Sequence, residues 1–465
     1  MKAAMIPKKF ILPILAIVSC AFVERGQASQ EDFDAAYDFT VRYLPRYQTW
    51  LSQTVGQSNV LIAPKSPMGP EYKGVVAIND DTLYTSATTD LTAEPVVLTL
   101  PSYPYKYSII QVNGYGTVLD TGLVPISTGG KFLLTGPNFK GTIPADFKNI
   151  IKVPENWTQL AIRTDKYSYN GTAYKDVQLD ASNFRTNIKL QTLSNYRKNP
   201  SGGATQMEDL SYFGTPMKTA VDLLVQGEPK AFLTTLEAAM ISPTTSPISN
   251  DDKFLIANFS TRFAAAKKNA NNGSINELSD MCAGARSAHN DIIANWRFHF
   301  IGNNWIHFNN MGDWGSNYLD RSSGNLYIQY CNNRQAAYYA QAFLDSNCNH
   351  LTGAGNKSYT ITFAKGQTPE FERFWSITAY TPEDIELVKN PANKYVVASY
   401  TPGLKKNLNG SITITLRTLG KNETTVDPNV LPIPSGNFSI MLRVYGPKGS
   451  ALAGTYVPPV VQAAK

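Results

Sequence analysis

The first long hydrophobic pattern along the chain has the spacing of an amphipathic helix. It occupies residues 31–55, and its apolar residues recur every three, four or seven positions. These residues are Phe33, Tyr37, Val41, Leu44 and Leu51. Because this spacing puts them on one face, the segment predicts a helix, and Pro45 within it predicts a kink.

From Asn59 the pattern changes to short β-rich runs separated by proline and glycine. The predicted strands are residues 74–78, 82–86, 95–100, 105–112, 131–134, 150–153 and 159–164. Regularly spaced strands with turn residues between them are typical of an antiparallel sandwich or barrel.

Helical periodicity returns in the middle of the chain. The predicted helices are residues 179–197, 218–225, 229–240, 251–268, 275–300 and 327–344, with a break at 200–203. The Asp251-Asp252 pair and Ser274 are suited to cap two of these helices at their N-termini. The middle of the chain is therefore predicted to be a helical region.

The last part of the chain again has the pattern of strands, at residues 359–363, 374–379, 395–399, 411–416 and 438–445. Ile412, Ile414 and Leu416 alternate with polar residues, as in a half-buried strand. The predicted fold class is multi-domain α+β, with two antiparallel, jelly-roll or sandwich-like β domains flanking a helical middle. The predicted boundaries are a signal peptide 1–28, an N-terminal helix 29–57, a β-rich domain 58–200, a helical region 201–350 and a β-rich domain 351–465.

Composition agrees with a folded chain of about three domains, because its 465 residues are 43% hydrophobic and only 17% charged. The formal net charge is +6, from 42 basic and 36 acidic residues, and the sequence has no basic tract. Because phosphate contacts require clustered cations, nucleic acid is not expected as a partner.

The amino terminus has the order of a secretory signal peptide. Lys2, Lys8 and Lys9 precede an apolar run at residues 10–18, and small residues lead to a cleavage site after Ala28. We therefore expect an exported protein, periplasmic or extracellular, without a transmembrane segment in the mature chain. In an alternative interpretation, residues 17–20 are a lipobox and Cys20 carries a lipid anchor.

Beyond Cys20 the chain has three cysteines. A disulfide between Cys331 and Cys348 with Cys282 free would add about 3 kcal/mol of stability; the alternative is three buried, reduced thiols. The four histidines are His289, His299, His307 and His350, and their spacing favours isolated structural roles over a metal site. We expect no metal and no cofactor.

Local signatures of common enzymes are absent from the sequence, including Gly-x-Ser-x-Gly, Ser-x-x-Lys, His-Glu-x-x-His, the Walker loop and Gly-x-Gly-x-x-Gly. The densest polar cluster lies at residues 79–84. Asp80 and Asp81 point to opposite faces of an extended chain, so adjacency does not make them an acid/base pair. One of them could act with Asp90 or Arg163; otherwise the cluster is an Asx turn that starts a strand.

Aromatic side chains offer another kind of site. The candidates for a platform that stacks on sugar rings are Trp305, Trp314, Trp375, Tyr380, Tyr400 and Tyr445. In the alternative interpretation these residues fill the cores of the β domains.

Two blocks of sequence resemble known families. The first comprises residues 79–84, 90–91, 94–98, 100–101 and 133–137, and it resembles the family called domain of unknown function 1254. The second comprises residues 374–380, 388–391, 410–411, 431–434, 442–445 and 458–459 with Phe438, and it resembles domain of unknown function 1214. The second block contains Arg443 and Tyr445. Val430 and Tyr456 stand where that family is expected to have tryptophan.

The resemblance implies a mainly bacterial, often exported protein with jelly-roll-like β domains around helices, and it supplies no reaction or catalytic residue. Our leading hypothesis is a protein that binds a glycan or another polar ligand of the cell envelope. The alternatives are a hydrolase or lyase, in which Asp81 or Asp90 acts as acid/base and Arg163 stabilises negative charge, and an assembly protein that forms homo-oligomers. The candidate ligand-binding residues are Asn79, Asp80, Asp81, Tyr84, Asp90, Arg163, Trp375, Tyr380, Arg443 and Tyr445.

Overall fold

The computed structural model describes residues 27–55, 57–210, 217–242 and 249–464. The predicted signal peptide and Cys20 lie outside these ranges, apart from Gln27 and Ala28, which begin the first helix. The helices are α1 (Gln27–Val55), α2 (Gln178–Asn187), α3 (Leu193–Lys198), α4 (Met217–Gly227), α5 (Pro229–Ile241), α6 (Asn250–Asn271), α7 (Asn276–Ala294), α8 (Tyr318–Tyr327) and α9 (Gly449–Ala453), with 3-10 turns at Asn295–Phe298 and Ala354–Asn356.

The strands of the first half of the chain form one group. They are β1 (Ile62–Pro64), β2 (Thr82–Asp90), β3 (Val96–Leu100), β4 (Tyr107–Asn113), β5 (Gly130–Thr135), β6 (Asn149–Lys152), β7 (Trp157–Asp165), β8 (Tyr167–Tyr169), β9 (Tyr174–Asp176), β10 (Lys189–Thr192) and β11 (Gln206–Glu208). They build a five-stranded sheet in the order β11-β1-β2-β7-β4, a four-stranded sheet in the order β10-β3-β5-β6, and the hairpin β8-β9.

The remaining strands form the second group. They are β12 (Phe300–Gly302), β13 (Trp305–Ile306), β14 (Ala337–Ala342), β15 (Tyr359–Phe363), β16 (Phe371–Tyr380), β17 (Val396–Ala398), β18 (Ile412–Arg417), β19 (Val430–Pro432), β20 (Ser439–Pro447) and β21 (Gln462–Ala463). They build a six-stranded sheet in the order β12-β13-β14-β20-β16-β17 and a four-stranded sheet in the order β19-β18-β15-β21.

In each β region two sheets share one hydrophobic core. Leu83 of β2 and Leu160 of β7 pack in the same core as Leu98 of β3. In the second region, Leu442 of β20 shares a core with Ile414 of β18. Strand alternation explains this arrangement, because every second side chain of a strand points to the same face.

The helices pack beside the six-stranded sheet. Helix α1 lies along α7 and also contacts α5, α6 and α8. Phe39 of α1 stacks on Phe259 of α6, and their core continues to Met441 and Tyr445 of β20. Pro45 lies inside α1, which continues past it to Val55. The six-stranded sheet is therefore covered on both faces.

The α+β class is confirmed, while several details differ from prediction. The pairs β1–β11, β5–β6 and β18–β19 are parallel, so the sheets are not wholly antiparallel. The helix predicted at residues 179–197 is α2 and α3 with strand β10 between them. Strand β10 pairs with β3, and this long-range pairing overrides the local helical pattern.

The helix predicted at residues 327–344 is wrong. Helix α8 ends at Tyr327, and residues 337–342 form β14 between β13 and β20. Its alanines have high helix propensity, but all six residues of β14 are buried in the sheet. Strands β12, β13 and β14 thus place part of the predicted helical region in the C-terminal β region.

The predicted disulfide is also wrong, because Cys331 and Cys348 are both free. Cys331 is buried, whereas Cys348 lies in an exposed turn beside Asn304. The two thiols therefore lie in different environments. Cys282 is free and half-buried, so the three cysteines among the described residues are all reduced, and Cys331 is the only one of these three that is fully buried.

A half-buried carboxyl group gives the fold a pH dependence. Glu155 lies between β6 and β7, and Asn113 Nδ2 donates to its Oε1 over 3.2 Å. Burial raises the pKa of Glu155 to about 7, although this hydrogen bond and the charges of Arg46 and Arg321 act in the opposite direction.

The Glu155→Gln variant is expected to be more stable than the natural protein at pH 8 by about 2 kcal/mol and nearly equal to it at pH 4. The native state holds the Glu155 proton more tightly than the unfolded state, whose pKa is near 4.5. Its contribution is therefore complete below pH 4.5 and is lost as the pH rises through 7. Urea unfolding at both pH values measures the difference. The exposed Glu383→Gln variant serves as the control, and an equal gain at both pH values would contradict the prediction.

Candidate functional site

A cavity of about 620 Å³ lies between the two β regions. One wall is the face of the five-stranded sheet that points away from its own core. On β2, Tyr84, Ser86 and Thr88 line the cavity, while Leu83 packs in the core. Period-two alternation therefore gives β2 one core face and one cavity face.

Strand β7 continues the same wall. Arg163 lies opposite Tyr84 and Ala161 lies opposite Ser86 in the antiparallel register. The Arg163 guanidinium carbon is 5.3 Å from the centre of the Tyr84 ring, within the range of a cation–π contact. The register thus places a cation beside an aromatic ring at one end of the cavity.

The facing wall comes from the six-stranded sheet. Tyr339 of β14 lies opposite Arg443 of β20, and Tyr445 follows two residues later on the same face. All three line the cavity, while Leu442 and Val444 of β20 point into the core on the other side. Residues far apart in sequence therefore meet at one end of the cavity.

Asn79 joins the two walls through its amide. Its Oδ1 accepts from the backbone N–H groups of Asp81 and Thr82, at 3.0 and 3.2 Å. Its Nδ2 donates to the hydroxyl oxygens of Tyr84 at 2.7 Å and Tyr445 at 2.8 Å. Because a backbone N–H can only donate, these contacts fix the orientation of the amide. The predicted Asx turn is therefore present, and the same residue also positions two tyrosines.

Arg163 is only 6% exposed, so its charge is almost completely removed from bulk water. Among the described residues it donates one hydrogen bond, from Nη2 to the carbonyl oxygen of Tyr330 over 2.7 Å. Its Nε is buried without a partner. The backbone of Tyr330 has φ +55°, in the left-handed region that is uncommon outside glycine, asparagine and aspartate. This conformation belongs to the turn that presents the carbonyl to Arg163.

Arg443 and Asp81 lie at the same end of the cavity. Arg443 donates to the hydroxyl of Tyr380 over 2.7 Å and to the carbonyl of Ala77 over 2.6 Å. Asp81 lies behind the cavity wall and accepts from Ser376 and Tyr400, at 2.9 and 2.5 Å. Burial raises the pKa of Asp81, and the charge of Arg443 with these two hydrogen bonds opposes the rise.

The other predicted carboxylates are elsewhere. Asp80 forms an ion pair with Lys166. Asp90 ends β2 and accepts from the backbone of Thr92 over 2.9 Å. At about 3.3 Å per residue, β2 separates Asp90 from Asp81 by about 30 Å. The structure therefore does not bring Asp81 and Asp90 together as a catalytic pair, and neither lines the cavity.

Most of the predicted aromatic platform is in protein cores. Trp305, Trp314 and Trp375 are at most 2% exposed. The Trp375 ring packs on Phe363, with centroids 5.2 Å apart. Tyr380 and Tyr400 are buried behind the cavity wall, while Tyr445 lines the cavity. The structure thus groups five predicted residues on the cavity wall, namely Asn79, Tyr84, Arg163, Arg443 and Tyr445.

Sequence reasoning missed the residues that complete this end of the cavity. Gln329, Tyr330, Cys331 and Tyr339 line it, and all four fall in the segment predicted to be a helix. Burial raises the pKa of the Cys331 thiol to about 12, so this group is neutral at physiological pH and is not an activated nucleophile.

Apolar side chains form most of the remaining wall, and they include Ile62, Val76, Ile110, Val112, Ala161 and Ile328. Within the described parts of the chain, the lining contains no carboxylate and no imidazole. The cavity therefore combines a large apolar surface with one end rich in hydrogen-bond donors, which is typical of a small-molecule site.

The described residues contain neither a metal site nor a helix that could cross a membrane. No group of three or more His, Cys, Asp or Glu side chains there is arranged to hold a metal ion. Within the same ranges, no helix has the length and apolar character needed to cross a bilayer.

Fold and cavity together define an α+β protein with a ligand-sized site between two β regions. Residues 58–191 match the family described as protein of unknown function DUF1254, and residues 336–449 match the family described as protein of unknown function DUF1214. The chain therefore belongs to the proteins that carry a DUF1254 domain followed by a DUF1214 domain, as the sequence resemblance predicted.

The fold is shared over nearly the whole chain with a solved structure. The VPA0106 protein from Vibrio parahaemolyticus is 18% identical with a TM-score of 0.56, over 94% of this chain and 100% of its own. A putative uncharacterized protein from Burkholderia cenocepacia is 14% identical with a TM-score of 0.44, over 94% of this chain and 95% of its own. No curated protein is significantly similar to the chain.

Proposed function

We propose that this protein binds a small molecule with a large apolar part in the cavity between its β regions. The observation that carries the proposal is the cavity itself, whose volume of about 620 Å³ lies within the range of small-molecule sites. Its wall is mainly apolar, with polar groups concentrated at one end. Binding, rather than catalysis, is favoured because the described lining lacks a carboxylate or imidazole that could transfer protons.

The proposal also includes the architecture of the two β regions and the export of the protein. Each β region is a jelly-roll or sandwich-like unit that supplies one wall of the site. The protein is exported by the segment 1–28 and meets its ligand in the periplasm or outside the cell. N-terminal sequencing of the protein recovered from that compartment tests export, and a chain that retains residues 1–28 in the cytoplasm would contradict it.

Titration calorimetry with decan-1-ol tests the binding site. We expect saturable binding with one ligand per chain, because burial of each methylene contributes about 0.8 kcal/mol before the cost of association. The Ser86→Phe variant places a ring in the cavity and is expected to weaken binding at least tenfold. Thr362→Phe adds the same ring to an exposed position of β15 and is the matched control.

Two results would overturn the proposal. The first is no binding of decan-1-ol or of its charged analogues by the natural protein. The second is equal binding by the natural protein and a folded Ser86→Phe variant. Circular dichroism and thermal unfolding of each variant establish that it is folded.

Glycan binding is a second candidate, favoured by a separate groove of about 550 Å³ on the N-terminal β region. The half-buried Tyr105 ring lies there with the amides of Asn183 and Asn187 and the carboxylate of Asp180. An aromatic ring beside amides and a carboxylate suits a sugar, which has an apolar face and hydroxyl groups.

A glycan array followed by calorimetry tests this groove. A bound oligosaccharide is expected to lose at least tenfold in affinity in Tyr105→Ala and to keep its affinity in Ser86→Phe. No glycan above background, or a bound glycan that is insensitive to Tyr105→Ala, would remove this candidate.

A further inference from the structure

We infer that the ligand carries an oxyanion, such as a carboxylate or sulfonate, and that Arg163, Tyr84 and Tyr445 bind it at the polar end of the cavity. The inference rests on the proposed function and adds the chemical class of the head group. The ligand would be an amphipathic acid, with its apolar part along the wall that includes Ile110, Val112 and Ala161.

Hydrogen-bond direction is the first observation. The Asn79 amide uses its two N–H groups on the hydroxyl oxygens of Tyr84 and Tyr445. Each tyrosine therefore accepts from Asn79, and its own proton must be donated elsewhere. Among the described residues, no side-chain or backbone acceptor receives either proton. Both tyrosines line the cavity, so a ligand atom that accepts hydrogen bonds inside the cavity would receive both hydroxyl protons.

Charge balance is the second observation. Arg373 pairs with Asp165, and Lys166 pairs with Asp80. Arg443 has the carboxyl group of Asp81 among the neighbouring groups that act on its charge.

Arg163 has no such partner in the described part of the chain. The ionisable groups that act on it most strongly are Tyr84, Tyr339, Tyr445 and Cys331, none of them a carboxylate. An arginine remains charged in proteins, and a buried charge without a counterion is unfavourable. An anionic ligand would supply the missing charge.

The alternative head groups fit less well. An ammonium group would lie beside the Arg163 guanidinium and would be repelled. A hydroxyl group could accept one or two of the hydrogen bonds but would leave the charge of Arg163 unbalanced. A carboxylate accepts several hydrogen bonds and carries the required charge.

Ligands with the same ten-carbon chain and different head groups test the inference in calorimetry. Decanoate and decane-1-sulfonate are expected to bind at least tenfold more tightly than decan-1-ol, and decyltrimethylammonium more weakly than the alcohol. Their ranking distinguishes the two oxyanions. Equal affinity for decanoate and decan-1-ol would overturn the inference but leave the proposed cavity site in place, whereas no binding of any compound would remove both.

Arg163→Met tests the role of the cation. It is expected to abolish the preference for decanoate over decan-1-ol and to keep the affinity for the alcohol within about twofold, because methionine preserves much of the apolar volume. Arg185→Met removes another buried arginine, outside the cavity, and serves as the control. An unchanged decanoate preference in Arg163→Met would overturn the assignment.

Asn79→Asp tests hydrogen-bond direction with almost no change of shape. A carboxylate at this position can only accept, so the Tyr84 and Tyr445 protons would turn toward it and away from the ligand. The preference for decanoate is expected to fall at least tenfold, and retention of the full preference would overturn the role of the two tyrosines. If this variant fails to fold, the Tyr84→Phe and Tyr445→Phe variants replace it, each with an expected loss of about fivefold in decanoate affinity.

Discussion

The Arg373→Met variant is expected to lose about 3–5 kcal/mol of unfolding free energy, because it leaves the buried Asp165 carboxylate without its partner. Arg373 binds Asp165 through two nitrogens, and the Nε–Oδ2 distance is 2.9 Å. The two side chains are 9% and 2% exposed and connect β16 with the end of β7. Urea unfolding followed by tryptophan fluorescence measures the loss.

The adjacent residue offers a matched control. Glu372 pairs with Lys106 across the same junction, but the two side chains are 48% and 58% exposed. Because exposed ion pairs contribute little, Glu372→Gln is expected to cost less than 1 kcal/mol. A loss below 1 kcal/mol for Arg373→Met as well would show that the buried pair does not hold the β regions together.

Arg163 and Arg373 are both buried arginines, but replacing them with methionine is expected to change stability in different ways. Arg373 has a carboxylate partner within the protein, so its removal leaves a charge unpaired. Arg163 lacks one among the described residues, so its removal is expected to leave the melting temperature of the empty protein unchanged or higher. This pattern is typical of a binding residue, for which stability and function oppose each other.

The Trp375→Ala variant is expected to lose about 3–5 kcal/mol of unfolding free energy, because it opens a cavity in the core of the second β region. Trp375 is 2% exposed and packs on Phe363. The decan-1-ol affinity of the folded fraction is expected to stay unchanged, since Trp375 does not line the cavity. Denaturant unfolding and calorimetry provide the two measurements.

Two further variants serve as comparisons for the stability loss expected in Trp375→Ala. Trp375→Phe keeps an aromatic ring and is expected to lose about 1–2 kcal/mol. Phe254 is 77% exposed, and Phe254→Ala is expected to change stability by less than about 0.5 kcal/mol. If Trp375→Phe kept full stability but lost binding of a ligand, Trp375 would be a ligand platform rather than a core residue.

The polar cluster at residues 79–84 could be recognised in the sequence, but the roles of its members could not. Asn79 and Tyr84 line the cavity, whereas Asp81 is sealed behind it by Ser376 and Tyr400. Those partners are about 300 residues away in sequence. A local pattern predicts on which side of a strand a residue lies, and it does not identify what packs against that side.

The segment that was predicted as a helix illustrates the same limit. Residues 337–342 contain alanines that favour a helix, yet pairing of β14 with β20 satisfies their backbone within a sheet. Tyr339 reaches the cavity only because this strand forms. An error in one local prediction therefore hid several residues of the site.

The sequence by itself determined the α+β class, the two β-rich families in their order, and most strands and helices, because these depend on periodicity and on residues close together in the chain. Only the tertiary structure decided that Arg163 and Tyr84 face Arg443 and Tyr445 across a cavity while Trp375 fills a core. Those relations depend on strand register and on the packing of one sheet against another, and both are set by contacts between distant segments.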